Sequence, residues 1–436
     1  MGSAYNKDED EQYLMYYDVN NLYGWAMMQP LPCSNFSWVE NIDDTFWDVP
    51  EDSLIGYFLE VDLEYPHELH DKHKDFPFCA EHRCAPGGKH KKLMTTLHNK
   101  ERYVIHYRAL QQVLKHGLVL KKIHRALRFR QKPWLKTYID YNSMKRKEAK
   151  NEFEKMLYKL FNNAVYGKTM ENERKRVDVK LVNKWEGRYG AEAYISKPNF
   201  HSRLIFDENC VAIQLNRTSI EIKKPIYIGF AVLELSKTCV YRFHYDFMKP
   251  HLNTDCTVLY MDTDSLIYSI KNNDVYEFMK QHLDEFDTSD YDKNNVYNIP
   301  QVNKKIPGLM KDECNGNIML RFMGLRSKMY YVKINGEKAI QKAKGVKSNV
   351  VKNQITAEDY EKALFGQETI VRKQRTIRSR LHNIHTEEQQ KVALSSHDDK
   401  RFLIRNSTNT LPWGHYKIPQ EEEEDSEPPT KKFKNN

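Results

Sequence analysis

The pattern of apolar and polar positions predicts a short strand and a short helix near the start of the chain. Residues 13–19 form an apolar run rich in aromatic side chains, as in a buried strand. Asn20 and Asn21 interrupt this run, and the residues from 22 to 28 then have a helical pattern. Between residues 29 and 100, strand-like runs alternate with prolines, so we expect short strands joined by turns.

A longer helix is predicted from residue 143 to residue 170, because apolar side chains recur there with a helical period. They are Ala149, Phe153, Met156, Leu157, Leu160, Phe161 and Ala164. Their spacing fits a repeat of about 3.6 residues. The apolar run 226–233 predicts a buried helix or strand. It is shorter than the roughly 18 residues that a membrane span needs, so we expect no membrane partner.

Two strand-like runs in the second half of the chain enclose an acidic turn. The runs cover residues 257–260 and 266–270, and the turn reads Met261-Asp262-Thr263-Asp264-Ser265. This pattern predicts a hairpin with carboxylates at its tip. Residues 318–334 predict more strand, broken near Gly324. From about Pro419 onward the sequence is of low complexity, and we expect disorder there.

Positive charge is concentrated in one part of the chain. The formal net charge is +8, although six acids lie between Glu421 and Glu427. Residues 121–184 hold 19 Lys or Arg against 7 Asp or Glu. Such an excess is typical of a surface that binds a polyanion such as nucleic acid. A solvated helix face remains an alternative from charge alone.

Cysteine usage and the N-terminal residues suggest where the protein works. The seven cysteines are scattered and odd in number, and no apolar signal region follows Met1. We therefore expect reduced thiols and an intracellular protein, nuclear if eukaryotic, since residues 428–434 could serve as a nuclear address. Cys79, His82, Cys84 and His90 do not follow a standard zinc spacing, so zinc is not expected.

Acidic side chains at the two predicted strand ends could form a divalent metal site. Two ions that clamp the attacking and leaving oxygens are a common device for phosphoryl transfer, and Mg²⁺ prefers oxygen ligands. We predict Asp18 and Asp264 as metal ligands, with the backbone carbonyl of Val19 as a third. Asp262, which we count with Asp18 and Asp264 as catalytic, would tune or hold the site through water. Taken alone, the acidic segment also fits an ordinary turn, since Asp and Ser favour turns.

The predicted long helix carries polar groups on one face. Lys155, Lys159, Asn163 and Tyr166 recur at helical spacing, which places them within one arc of the helix surface. This face would suit a nucleoside triphosphate, with the lysines at the phosphates and Tyr166 and Gly167 near the base pair. A solvated basic face with a buried tyrosine is the alternative.

Tyr23 follows Asp18 by five residues. A ring at this position could exclude a ribose 2′-hydroxyl and so select deoxynucleotides. A lone tyrosine is also common in any protein core.

Together, the segments resemble motifs A, B and C of the B-family DNA polymerases, and most closely the protein-primed branch. The matching segments are Asp18-Val-Asn-Asn-Leu-Tyr23, Lys159-Leu-Phe-Asn-Asn163-Ala-Val-Tyr166-Gly167 and Tyr260-Met-Asp262-Thr-Asp264-Ser265. Lys328-Met-Tyr330 resembles that family's Lys-x-Tyr motif, which contacts the primer strand. Lys342 and Lys344 resemble the basic element that follows it. The resemblance extends over about residues 11–350.

The resemblance implies an α/β (α+β) right-hand polymerase with palm, fingers and thumb. Its reaction would be template-directed addition of dNTPs to a primer 3′-hydroxyl with two Mg²⁺ ions, for which Mn²⁺ could substitute. The partners would be primer-template DNA, dNTPs and, if the enzyme is protein-primed, a terminal protein. Lys147 and Lys155 would assist Lys159 at the nucleotide, and Gly167, Lys328, Tyr330, Lys342 and Lys344 would contact DNA.

The same resemblance divides the chain into seven segments. They are a first palm strand with motif A (1–30), palm with an insertion (31–140), a fingers helix with motif B (141–185), a second insertion and palm (186–250), palm with motif C and the Lys-x-Tyr element (251–345), a thumb (346–418) and a tail (419–436). Only 17 residues precede Asp18. We therefore expect no proofreading exonuclease within the printed sequence.

Two other functions compete with this one. A reverse transcriptase also pairs acids in its palm, although the Asp-Thr-Asp-Ser turn and the helix 159–167 argue against it. A catalytically inactive, DNA-binding remnant of a polymerase is the second alternative. The intact set of acids argues against that alternative.

Overall fold

The computed structural model describes residues 12–40, 48–271, 274–405 and 407–419. Apart from Pro419, the predicted disordered tail lies outside the described residues, as does the possible nuclear address. The strands are β1 (Gln12–Val19), β2 (Leu31–Trp38), β3 (Ile55–Glu64), β4 (Glu81–Cys84), β5 (Lys91–Met94), β6 (Lys100–His106), β7 (Val119–Lys132), β8 (Asp178–Val182), β9 (Phe200–Asp207), β10 (Cys210–Leu215), β11 (Cys256–Asp262), β12 (Ser265–Lys271), β13 (Phe286–Asp287), β14 (Met310–Asp312), β15 (Met319–Arg326), β16 (Met329–Ile334), β17 (Ile340–Ala343), β18 (Ile370–Arg380), β19 (Asn383–Leu394), β20 (Arg401–Leu403) and β21 (Thr410–Pro412).

The helices lie between and around these strands. They are α1 (Leu22–Met28), α2 (His70–His73), α3 (Tyr107–Lys115), α4 (Lys136–Glu148), α5 (Glu152–Thr169), α6 (Ala191–Ile195), α7 (Ile226–Tyr241), α8 (Lys249–Leu252), α9 (Val275–Gln281), α10 (Ser348–Gln354) and α11 (Ala357–Phe365). A π-helix, Arg242–Met248, joins α7 to α8. Among the described residues, every helix is too short or too polar to cross a membrane.

A five-stranded sheet, here called the central sheet, has the order β11-β12-β1-β14-β13. Strand β1 lies in its middle and pairs antiparallel with both β12 and β14. Its side chains alternate, so Met15, Tyr17 and Val19 enter the main core. The predicted first strand and the predicted acidic hairpin are therefore confirmed, and they are neighbours in one sheet.

Helix α7 connects the central sheet to the rest of the core. It is buried along most of its length, as its apolar sequence predicted, and it packs against α1, α3 and α5. A β-carbon at Gly229 would lie 2.4 Å from the sulfur of Met170. The glycine therefore allows the C-terminal end of α5 to come close to α7.

The predicted single helix from 143 to 170 is wrong. Two helices, α4 and α5, are separated at residues 149–151, and they are called the helix pair below. The Asn151 side chain accepts a hydrogen bond from the Glu154 backbone N–H at 2.9 Å, while the Glu154 carboxylate accepts one from the Lys150 N–H. This reciprocal capping starts a new helix where the apolar period alone suggested continuity.

The remaining strands form smaller sheets. β2, β7, β3 and β6 make a four-stranded sheet, and β8, β10 and β9 make a three-stranded one. β15, β16 and β17 make another three-stranded sheet, so the predicted strand 318–334 is in fact two strands. The break lies at Ser327 and Lys328, because a tight turn forms there, and Gly324 lies inside β15. β18 and β19 form a long two-stranded hairpin.

Candidate active site

Four residues form a row across four strands of the central sheet. Asp262 pairs with Ser265, Ser265 pairs with Asp18, and Asp18 pairs with Lys311. Directly paired residues point to the same face of a sheet, and neighbouring strands lie about 4.8 Å apart. The register therefore brings two predicted acids and one cation onto one face, opposite the core that Tyr17 and Val19 enter.

The hairpin tip brings the third acid to this row. Thr263 adopts a left-handed backbone with φ 66°, and the Asp264 N–H donates to the Asp262 carbonyl at 2.8 Å. The carbonyl of Asp264 in turn accepts a hydrogen bond from the Val19 N–H at 2.7 Å. This last bond ties the hairpin tip to the end of β1, so Asp264 is held next to Asp18.

The pKa values of the Asp18 and Asp264 carboxyls are both raised, as expected of two acids that are held close together. Burial, followed by the charges of Asp264 and Glu313, raises the pKa of Asp18 to about 7. Burial is also the main reason why the pKa of Asp264 is raised. The positive charge of Lys159 opposes the rise of both pKa values, so this lysine lies within electrostatic range of the two acids. The negative charges of these two carboxylates are only partly balanced by nearby cations. A bound divalent cation would stabilise their charged forms.

Asp262 has a different partner. The Lys328 ammonium lies 2.7 Å from its carboxylate, and the Lys328 N–H donates to the Tyr260 hydroxyl at 2.9 Å. Lys328 has a positive φ of 59° in the turn between β15 and β16. Asp262 is thus paired with a cation, and its role in holding the site stays a prediction.

The other residues of the predicted primer-contacting elements differ in exposure. Tyr330 is only 7% exposed, and its ring packs 4.9 Å from that of Tyr260. Lys342 and Lys344 are exposed, and the Lys344 N–H donates to the Lys328 carbonyl at 3.0 Å. Lys344 thus lies beside Lys328, which contacts Asp262, whereas Lys342 pairs with Tyr330 across β16 and β17. Their contact with DNA stays a prediction.

The residues that we predicted to bind the nucleotide lie mainly on the helix pair. The ring of Tyr166 stacks on that of Tyr23, with centroids 4.3 Å apart and planes 17° from parallel. Burial and the neighbouring Tyr166 raise the pKa of Tyr23 to about 12, and the charge of Asp264 contributes to the shift. Motif B and motif A are therefore in contact through these two rings, close to the acids.

The polar residues of α5 are more exposed than the rings. Lys159, Asn163 and Gly167 are exposed, and a β-carbon at Gly167 would meet nothing within 4 Å. Lys155 forms an ion pair with Glu152 at 2.6 Å. Lys147 is exposed and lies on α4, not on α5, because the helix is broken.

Backbone geometry shows why Asn21 and Gly24 occur together at the start of α1. Asn21 has a left-handed backbone with φ 46° where α1 begins, a conformation that Asn tolerates. A β-carbon at Gly24 would lie 2.0 Å from the amide nitrogen of Asn21. The two residues therefore fit each other, and the glycine leaves space for the asparagine side chain.

Sequence reasoning missed two charged residues beside Asp18. Lys311 is paired with Asp18 across strands and forms an ion pair with Asp290 at 2.8 Å. The charge of Glu313 reaches Asp18, and the Glu313 N–H donates to the Tyr16 carbonyl at 2.8 Å. Only the pairing of β14 with β1 brings them here, and no local pattern in the sequence predicts that pairing.

Within the part of the chain that the structure describes, no group of three or more His, Cys, Asp or Glu side chains is arranged to hold a metal ion. This applies to Cys79, His82, Cys84 and His90, of which Cys79 is buried. Mg²⁺ binding by Asp18 and Asp264 stays a prediction, since Mg²⁺ needs only one or two protein carboxylates beside substrate phosphates.

Comparison with known proteins gives a family and a fold. The family described as DNA polymerase type B, organellar and viral, matches residues 2–250. None of the curated proteins compared with the chain matches it significantly. Among solved structures, Phi29 DNA polymerase with primer-template DNA and incoming nucleotides matches with a TM-score of 0.52 at 16% identity, over 89% of this chain and 59% of that one.

A second Phi29 DNA polymerase structure, a complex with primer-template DNA, matches with a TM-score of 0.50 at 15% identity, over 89% of this chain and 59% of that chain. The chain thus spans about three fifths of the Phi29 enzyme. The likeness establishes the predicted mixed α/β, right-hand type of fold. Since the family match covers more than half of the sequence, the chain belongs to the type B DNA polymerases of organelles and viruses.

Proposed function

We propose that the chain is a DNA-directed DNA polymerase that adds dNTPs to a primer 3′-hydroxyl on a DNA template. The proposal rests mainly on the proximity of Asp18, Asp264 and Lys159. The two acids come from distant segments, and the lysine comes from a helix outside the sheet. Paired acids with a facing cation suit the transfer of a phosphoryl group, in which negative charge must be both held and neutralised.

In the proposed reaction, the 3′-oxygen of the primer attacks the α-phosphorus of the dNTP. The bond between this phosphorus and the bridging oxygen breaks, pyrophosphate leaves, and the hydroxyl proton passes to solvent water. Asp18 and Asp264 would hold two Mg²⁺ ions, for which Mn²⁺ could substitute, and the Val19 carbonyl would add a ligand. When bound, the ions would polarise the reacting oxygens and phosphates.

The chain's own side chains would position the substrate. Lys159, with help from Lys155 and Lys147, would bind the phosphates, which carry several negative charges. The stacked rings of Tyr23 and Tyr166 would form the surface under the sugar and base, together with Asn163 and Gly167. Lys328, Lys342 and Lys344 would hold the primer strand, since cations that neutralise phosphates provide most of the affinity for DNA.

Protein priming, and with it a terminal protein as partner, is also part of this proposal. It is supported by the resemblance of the three motifs to the protein-primed branch. The fold likeness to Phi29 DNA polymerase supports it as well. An intracellular location, nuclear if the host is eukaryotic, would follow from a role in DNA synthesis.

Primer extension tests the proposal directly. The full chain is incubated with a labelled DNA primer on a DNA template, dNTPs and Mg²⁺, beside the same reaction on an RNA template. Extension that needs Mg²⁺ and favours the DNA template is expected. No extension, with DNA binding retained, would favour an inactive remnant, and a preference for the RNA template would favour a reverse transcriptase.

A further inference from the structure

The hairpin formed by β4 and β5, here called the basic hairpin, carries a concentrated positive charge. Residues 82–92 include four Lys or Arg and two His, all of them exposed, and no Asp or Glu. They are His82, Arg83, Lys89, His90, Lys91 and Lys92. Charges of one sign that lie close together repel each other, so the hairpin favours an anion with several charges beside it.

The pairing of the two strands places like charges opposite each other. Arg83 on β4 pairs with Lys92 on β5, and paired side chains share one face of the hairpin. Lys92 is bound to Asp399. Arg83 lies 3.9 Å from a carboxylate oxygen of Glu81, but the same oxygen is held by the buried Lys100 at 2.8 Å. Arg83 is therefore only partly neutralised.

Lys89, between the strands, and Lys91, on β5, lack even such partners. Neither lysine forms an ion pair with an acid among the described residues. The exposed lysines of α4 differ, since Lys136 binds Asp140 and Lys145 binds Glu148. The cations of the basic hairpin are thus available to an anionic partner.

The last described segment of the chain lies beside the basic hairpin. The Leu97 N–H, shortly after β5, donates to the Trp413 carbonyl at 2.8 Å. The indole N–H of Trp413 donates to the Asp399 carbonyl at 3.1 Å, and the Asp399 side chain holds Lys92 of the hairpin. The end of the described chain is therefore attached to the strand that carries Lys91 and Lys92.

Contacts with α2 and the residues before it fix the point where the described chain ends. The Tyr416 N–H donates to Nδ1 of His70 at 3.1 Å. The Lys417 ammonium binds the Asp71 carboxylate at 2.8 Å. Pro419, the last described residue, thus follows a firmly held segment, and it is exposed.

The sequence continues from this point with an acidic run, residues 421–427, which contains five Glu and one Asp. An extended chain spans about 3.5 Å per residue, so residues 420–427 reach up to about 28 Å from Pro419. A short covalent connection of this kind gives the run an effective concentration on the order of millimolar at a nearby surface. The run is therefore a strong competitor for the cations next to its point of attachment.

We propose that the acidic run docks on the basic hairpin and shields its cations from nucleic acid. The run brings six carboxylates to a surface that has cations without partners, and the covalent chain keeps it close. A nucleic acid that reaches the hairpin must first displace the run, so binding that depends on charge alone becomes weaker. The docking goes beyond the proposed function, and only its effect on DNA binding rests on that function.

The first test compares the full chain with a neutral-run variant. This variant carries Glu421→Gln, Glu422→Gln, Glu423→Gln, Glu424→Gln, Asp425→Asn and Glu427→Gln. Its dissociation constant for duplex DNA should be about tenfold lower than that of wild type. The dependence of log Kd on log salt should steepen by about 3, because three hairpin cations become free to contact phosphates. Equal dissociation constants and equal salt dependence would overturn the proposal.

A second pair of substitutions separates docking from a general effect of net charge. In the background of Lys89→Gln with Lys91→Gln, neutralising the run should improve DNA binding by less than about twofold, because the two charges act through each other. Lys271→Gln with Lys293→Gln is the matched control, since it removes two exposed lysines outside the basic hairpin. That background should keep the tenfold gain. The same gain in both backgrounds would refute docking on the hairpin. Thermal melting shows whether each variant folds like wild type.

Chemical cross-linking tests the docking without DNA and without turnover. A carbodiimide joins a carboxylate to a lysine amine when the two are in contact, and mass spectrometry identifies the pair. Cross-links from residues 421–427 to Lys89 or Lys91 are expected in wild type. They should disappear with excess duplex DNA, and at about 1 M salt, where charges are screened beyond ~3 Å.

The cross-linking result also distinguishes this inference from the proposed function. Cross-links between the acidic run and the basic hairpin would support the docking even if the chain failed to extend a primer. Cross-links from the run only to lysines outside the hairpin would refute it, even in an active polymerase.

Discussion

The central sheet and the helix pair contribute to the same site but differ in how firmly they hold their residues. Asp18, Asp262 and Asp264 are fixed by strand register, by a hairpin turn and by the hydrogen bond from Val19 to Asp264. Lys159, on the helix pair, is exposed, and apolar neighbours on α5 such as Phe153 and Met156 are 73% and 70% exposed.

This difference suggests a division of labour. The acids must be in place before any ion binds, so they lie on a sheet whose hydrogen bonds and core leave little freedom. The cations that we propose to bind the substrate, which would arrive and leave at every cycle, lie on helices with few buried contacts. Elements that move with a ligand are generally drawn from such less stable regions.

The largest effect is expected from the acids of the central sheet. Asp18→Asn or Asp264→Asn should reduce extension by more than about 10³-fold, because each removes an anionic ligand of the proposed metals. DNA binding should persist. Single-turnover extension and DNA titration would measure the two properties, with Asp255→Asn, an exposed acid just before β11, as control. Near wild-type extension by either variant would disprove the site assignment.

Stability should differ between the two regions as strongly as activity. Ile267→Ala in β12 removes a fully buried side chain and should lower the free energy of unfolding by about 2–5 kcal/mol. Phe153→Ala in α5 should change it by only about 0.5 kcal/mol, because the ring is mostly exposed. Urea unfolding of both variants measures these changes in the free energy of unfolding. Similar losses would mean that the face of α5 is covered in solution.

Lys159→Ala tests the helix pair as the nucleotide-binding side. It should lower kcat/KM for dNTP by about 10²-fold, as expected for loss of a charge that stabilises transferring phosphates. The affinity for duplex DNA should change little. Lys168→Ala, an exposed lysine on the same helix, is the control. Equal losses in nucleotide use and duplex binding would make Lys159 a DNA-backbone contact.

Tyr23 tests the contact between the two regions. Tyr23→Ala removes the ring that stacks on Tyr166 and should admit ribonucleotides, while stability falls by about 1 kcal/mol. Tyr23→Phe keeps the ring and should keep the preference for deoxynucleotides. Competition between dNTP and rNTP incorporation gives the ratio. An unchanged preference in Tyr23→Ala would exclude Tyr23 from sugar selection.

The smallest effect on the reaction itself is expected from a histidine that acts on the acid stability of the core beneath the central sheet. Burial lowers the pKa of His244 to about 3, and its Nδ1 lies 3.1 Å from the Tyr268 hydroxyl. A depressed histidine pKa means that its contribution is complete above about pH 6.5 and declines as the pH falls toward 3. This decline should cost about 1.4 kcal/mol per pH unit for such a group.

His244→Phe should therefore flatten the fall in unfolding free energy between pH 6.5 and 4.5. The variant loses the hydrogen bond to Tyr268, at a cost of about 1 kcal/mol at neutral pH. Unfolding curves at several pH values provide the measurement, and the exposed His397→Phe serves as control. A slope as steep as that of wild type would show that His244 does not titrate on unfolding.

Much of the central sheet could be predicted from local sequence. The aromatic-rich apolar run before Asp18 and the acidic turn between two apolar runs predicted β1, β11 and β12, and the motifs pointed to Asp18, Asp264 and Lys159 as site residues. These features depend on interactions between residues close in the chain. The split of the helix pair was also encoded locally, in the capping pattern Asn151-x-x-Glu154, but the apolar period concealed it.

What the tertiary structure alone decided is which distant segments meet. The pairing of β14 with β1 brings Lys311 and Glu313 to Asp18, and Asp287 brings Lys305 to Asn20. Strand pairing between segments hundreds of residues apart depends on which face of each strand is buried and on the pairing register. Neither can be read from a short stretch of sequence. The sequence by itself thus determined the chemical groups of the site and the local shapes that carry them. The folded sheet determined their neighbours, because long-range packing sets the electrostatic environment of each group.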